Sequence, residues 1–158
     1  MLQGSAPVVT ARKRHDIDDI AGATAAACIN MRVRQLSRII TGVYDDALRP
    51  LGITSSQFTL LAHVAGRDGI RQVEINRLLD IEKSTNARNF KRMLALGLIT
   101  IGPPAGRRGK HLHLTQKGEA VIKSAYPLWR EVQSRVIAAI GTGTRATLES
   151  LISAASKL

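Results

Sequence analysis

Residues 83–118 read KSTNARNFKRMLALGLITIGPPAGRRGKHLHLTQKG, and this stretch decides the fold. It holds no Asp or Glu, yet carries eight basic residues: Lys83, Arg88, Lys91, Arg92, Arg107, Arg108, Lys110 and Lys117. Its structural period changes midway. Over Ser84–Leu96 the spacing is helical, with Phe90, Met93 and Leu94 on an apolar side and positions 84, 88, 91 and 92 along a polar one. Gly97 stops that helix. Leu98–Ile101 and His111–Leu114 are short β-type runs, and the PPAGRRG between them suits an exposed hairpin loop. Phosphates attract Lys and Arg and repel carboxylates, so a basic helix beside a basic hairpin, both free of acids, suits a duplex polyanion.

Towards the N-terminus, RQVEINRLLDI forms a short helix offering Val73, Ile75, Leu78 and Leu79 to a core. Thr54 and Gln57 fit a capping box, which predicts a helix from Ser55 to about Ala65 that buries Phe58, Leu61 and Val64. Before it, Ile29, Val33, Leu36, Ile40 and Val43 share one face of a helix from Cys28 to about Leu48, ended by RPLG. Residues 1–22 show no steady periodicity and are expected to form a flexible, solvated tail. Towards the C-terminus, Thr115 caps a long helix striped by Val121, Ala125, Leu128, Val132 and Val136 and bent at Pro127. Gly141–Gly143 break it, and Thr144 is expected to cap a last helix bearing Leu148, Leu151, Ile152 and Ala155.

The division that follows is a tail (1–22), a first dimerisation helix with its connection (23–54), a winged helix-turn-helix (55–115) and C-terminal dimerisation helices (116–158), all in one compact domain. The fold class is mainly α with a small β-hairpin. The first and last helices carry apolar stripes that the central unit is too small to cover. A second copy of the chain, related by a two-fold axis, is the simplest partner.

Composition narrows the function. The 158 residues carry a formal net charge of +11, which points to a polyanionic partner. No apolar run approaches the ~20 residues that span a bilayer, and the N-terminus lacks a secretory apolar core, so a cytoplasmic location is expected. Aromatic residues make up only 3%, which disfavours stacking on single-stranded nucleic acid. The single cysteine, Cys28, excludes an intrachain disulfide and a cysteine zinc cluster. There is no phosphate loop, metal-ligand cluster or telling nucleophile–base spacing, so neither an enzyme nor a cofactor is expected.

The runs LGITSSQFTLLAHV, EINRLLDIEKSTNARNFKRMLALGLIT and GRRGKHLHLTQKGEAV resemble the MarR family of winged-helix transcription regulators, from about Cys28 to the C-terminus. The resemblance implies an obligate homodimer on duplex DNA, with the Ser84–Leu96 helix in the major groove and the wing in a neighbouring minor groove. Lys83, Ser84, Thr85, Arg88, Lys91 and Arg92 then form the recognition ridge, and Arg107, Arg108 and Lys110 the wing contacts. Two departures stand out. Asn86 occupies a position where the family has an apolar residue, and is open either to adenine readout or to backbone bonding, as is Asn89. Gly106 stands where the family has an aspartate bracing the wing.

The resemblance further implies a small aromatic or phenolic effector held between the long fifth helix and the first two. Tyr126, Trp129 and His63 are candidates for contacting it, and Arg34 and Arg38 for countering a ligand carboxylate. Interhelical packing and surface charge are the simpler reading of each of these residues. Cys28 is open to thiol-based sensing or to packing as a small apolar residue. His111 and His113 share a strand face without a third ligand and are expected on the outer face of the wing. A non-specific architectural nucleic-acid-binding protein is the rival reading of the same charge.

Overall fold

The computed structural model describes residues 11–67, 69–79, 83–103 and 111–158, with the backbone alone at 11–14 and 83–85. The elements are α1 (Ala11–Ala27), α2 (Ile29–Leu48), a 3-10 turn (Arg49–Leu51), α3 (Ser55–Ala65), α4 (Gln72–Leu79), α5 (Lys83–Ala95), β1 (Ile99–Gly102), β2 (His111–Leu114), α6 (Gln116–Ile140) and α7 (Thr144–Ala155). This is the mainly helical class with one hairpin that the sequence predicts.

The N-terminal boundary differs from the expectation. The expected tail is helical from Ala11 onwards, because alanine-rich sequence favours a helix even where apolar residues follow no stripe. By its contacts the chain divides into two units, up to Ile39 and from Ile40 to Leu158. From His15 to Ile39 every residue is exposed except the half-buried Cys28.

Within the second unit, one core gathers Phe58, Leu61 and Val64 of α3, Ile75 of α4, Phe90 and Met93 of α5, Ile99 and Leu112 of the hairpin and Ala125 of α6. Both halves of the capping box are made: the Gln57 amide N–H donates to Thr54 Oγ1 at 3.3 Å, and the Thr54 N–H to Gln57 Oε1 at 3.1 Å. On α4 only Ile75 is fully buried, and Val73 and Leu78 face solvent rather than the core. Arg71 immediately precedes that helix. Its backbone N–H and its guanidinium both bond the Glu74 carboxylate, at 2.8 and 2.9 Å, holding the carboxyl down at about 2.

Gly97 takes φ 67°, a left-handed conformation that lets Leu98 N–H reach Met93 O (2.9 Å) and Gly97 N–H reach Leu94 O (3.0 Å). That turn aims the chain directly into β1. The strands pair antiparallel with Ile99 opposite Leu114 and Gly102 opposite His111. Ile70, just before α4, bonds Leu112 on the other edge of β2, so the base of the hairpin is tied to the helix-turn-helix.

At the C-terminal end the expected cap is displaced. Gly143, not Thr144, precedes the first residue of α7, and no side chain caps that helix. The Thr144 hydroxyl donates instead to the Ile140 carbonyl, which ties the side chain back to the preceding helix.

Candidate nucleic-acid interface and effector cavity

Helix α5 is built with two opposite sides. Asn86, Phe90 and Met93, spaced four and three apart, are all buried. Arg88, Lys91 and Arg92 lie on the other side, exposed. Among the described residues none of the three has a carboxylate within ion-pairing distance. Lys83, Ser84 and Thr85 form the first turn, which contains no acid. Free amides and the positive end of the helix dipole favour an anion there. The geometry therefore brings six of the nine expected DNA-contacting residues onto one helix. The other three, Arg107, Arg108 and Lys110, lie outside the described residues together with Gly106.

Lys117 has a different task. Its Nζ donates to the Leu96 carbonyl at 2.8 Å, placing a cation at the negative end of α5. Thr115 adds to the same joint, its hydroxyl meeting the carbonyls of Gly97 (2.7 Å) and Leu98 (3.1 Å).

Asn86 is corrected. Its side chain is 0% exposed and its Nδ2 donates to Asn76 Oδ1 at 2.7 Å, so it reads no base. Asn89 remains half-buried. The wing histidines are corrected too. Among the described residues His111 Nδ1 and His113 Nε2 are buried without a partner, and His113 lies so close to Gly69 that a Cβ there would meet its Cε1 at 2.7 Å. The ring thus covers the loop before α4 instead of facing outwards. Among the described residues no group of three or more His, Cys, Asp or Glu is placed to hold a metal.

The effector candidates divide. Trp129 lines a cavity of about 240 Å³ with Tyr44, Phe58, Thr59 and Gln133. Its ring lies 6.2 Å from that of Phe58. The Tyr44 hydroxyl donates to Gln133 Oε1, and burial pushes the phenol pKa up, so this wall is polar but uncharged. Tyr126 stacks on Trp129 at 6.0 Å but is exposed, under the Arg130 guanidinium, and does not line the cavity. His63 does not line it either; its Nδ1 bonds the Thr59 carbonyl at 2.8 Å. Arg34 and Arg38 are exposed residues of the first unit. Sequence reasoning missed Tyr44 and Gln133, since partners 89 residues apart leave no local signal.

Comparison with known proteins agrees with this architecture. A family model described as MarR family matches residues 51–109. The multiple antibiotic resistance protein MarR of Salmonella typhimurium is 30% identical over 83 residues, 52% of this chain and 58% of that protein, so the chain spans little more than half of that relative. Among solved structures, the Mycobacterium tuberculosis transcriptional regulator MosR is 33% identical with a TM-score of 0.72, covering 84% of this chain and 98% of that one. The same regulator in complex with DNA is 34% identical with a TM-score of 0.71, covering 83% and 99%. Most of the chain thus aligns with nearly the whole of a regulator at more than 30% identity, and the family match takes in α3, α4, α5 and β1: the chain belongs to the MarR family.

Proposed function

We propose that the chain is a cytoplasmic, homodimeric transcription regulator that binds a pseudo-palindromic duplex site, most simply as a repressor. The observation that carries this reading is the α5 ridge of exposed Arg88, Lys91 and Arg92, set opposite a buried face. The DNA-bound relative supports it. Apolar side chains left open in the single chain support the dimer: Ile29, Val33 and Leu36 on α2, and Leu148, Leu151 and Ile152 on α7. A second copy removes them from water. Two α5 helices related by a two-fold axis then address half-sites about one helical turn apart.

Competition binding tests specificity. On duplexes from the DNA flanking its own gene, affinity should exceed that for scrambled duplexes by at least ~10³. Near-equal affinities would instead indicate a non-specific architectural protein.

Effector response is the finer part of the proposal. The cavity beside Trp129 suits a small aromatic or phenolic molecule, and its uncharged wall favours a neutral one over a carboxylate. Trp129 is the only tryptophan, so its emission reports occupancy directly. A neutral phenol should change that emission saturably and lower DNA affinity, while benzoate should do neither at the same concentration. An emission unmoved by both would remove the cavity from the mechanism.

A further inference from the structure

Among the described residues, Asn86 and Gln57 are the buried polar side chains. Gln57 completes the cap of its own helix. Asn86 bonds across to another helix, reaching Asn76 of α4 from the first turns of α5. It occupies the top of the stripe that Phe90 and Met93 continue, where an apolar side chain would pack without any directional demand. The amide is the costlier choice, because among the described residues Asn86 Oδ1 has no partner and is sealed from water. What the amide adds is geometry. Apolar contacts tolerate small rotations and slides, whereas a hydrogen bond of 2.7 Å inside the core fixes both the distance and the turn of one helix against the other.

Rotation of α5 is the variable that matters for its outer side. Arg88, Lys91 and Arg92 project opposite Asn86, so any turn of the helix about its axis swings them sideways by a comparable angle. We propose that the Asn76–Asn86 amide pair is a positioning device that sets the rotation of α5, and thereby the sequence selectivity of the side chains it presents, at the expense of core stability. The role rests on the DNA-binding reading above. It concerns discrimination between sequences. Attraction to phosphate, which depends on charge and tolerates small rotations, is outside it.

Three variants and two readouts test it. Asn76→Leu leaves the buried Asn86 amide without its acceptor, and Tm should fall by about 2–8 °C. Asn86→Leu removes the sealed polar group and should leave Tm unchanged or raise it. Both should lose at least ~10-fold of the preference for the flanking duplex over a scrambled one, with scrambled-duplex affinity held within about twofold. Asn76→Asp keeps an acceptor at the half-exposed end and should retain the preference within about threefold. Should Asn76→Leu not fold, Asn86→Leu and Asn76→Asp still decide the matter.

The decisive pairing is stability against selectivity. A stabilised Asn86→Leu protein with reduced preference is the result expected, since lost packing cannot produce it. The same protein with its preference intact makes the pair merely structural and overturns the role. A wild-type chain with no preference at all removes the sequence-specific regulator reading and the positioning role together. The outcomes are therefore separable.

Discussion

Replacing Gly118 by alanine should lower the unfolding free energy by about 3 kcal/mol or more, and Tm by roughly 6–12 °C. Gly118 is buried in the first turn of α6, and its N–H donates to the Thr115 hydroxyl at 3.0 Å. A Cβ there would lie 2.0 Å from the Leu98 carbonyl oxygen and 2.9 Å from Leu114 Cδ1. The first of these neighbours is backbone and cannot rotate away. Moreover, Leu98 O already accepts bonds from the Thr115 N–H and hydroxyl, both at 3.1 Å. Relief of the clash requires α6 to back off from the hairpin, which breaks those bonds and loosens Lys117 from Leu96. The ~1 kcal/mol that alanine gains over glycine inside a helix acts in the opposite direction and is too small to compensate. Gly143→Ala is the control, because nothing lies within 4 Å of its would-be Cβ. Equal thermal melts for Gly118→Ala and Gly143→Ala would refute the close approach of α6 to the wing base.

Where a residue acts through local chemistry, the sequence exposed it. Thr54 and Gln57 announce α3 because a capping box depends only on a spacing of three, and Gly97 announces the end of α5 because only a left-handed residue lets Leu98 turn back. The ridge of Arg88, Lys91 and Arg92 was legible for a similar reason: helical periodicity fixes which residues oppose Phe90 and Met93. Periodicity has a blind spot in α1, where alanine supplies propensity without an apolar stripe. It also overstates burial in α4, since Val73 and Leu78 are apolar at suitable spacing yet lie on a side that no core element covers.

Side-chain partners across elements were not legible. Asn86 sat in plain view as a polar residue on an apolar stripe, but nothing local distinguishes an amide that reaches Asn76 from one that reaches DNA. Lys117 looked like one more cation of the acid-free stretch, and the Leu96 carbonyl that claims it lies 21 residues away. Tyr44 and Gln133 are brought together only by the packing of α2 on α6. In each case the missing information is a tertiary distance. The candidate site divides accordingly: its charges can be read from the chain, but which polar groups position it and which contact a ligand cannot.

Arg88→Ala should reduce affinity for the specific duplex by about 1–3 kcal/mol, roughly 5- to 150-fold, and relax the preference at one or two base pairs. Arg88 stands five residues beyond the start of α5, about 7–8 Å along the axis, on the side away from Phe90 and Met93. That is deep enough to reach base edges when the helix N-terminus meets a phosphate. A guanidinium there can present two donors to one guanine edge, which an ammonium cannot. Lys91, at the next turn, is a flexible point charge better suited to backbone phosphate. The two therefore make different signatures. Lys91→Ala should weaken binding to all duplexes alike and reduce the slope of log affinity against log salt by about 1. Arg88→Lys separates charge from geometry: it should recover scrambled-duplex affinity while leaving the base preference relaxed. Full recovery of preference by lysine would assign Arg88 to phosphate, and would move base reading to the first turn of α5, where Ser84 and Thr85 are the remaining polar candidates.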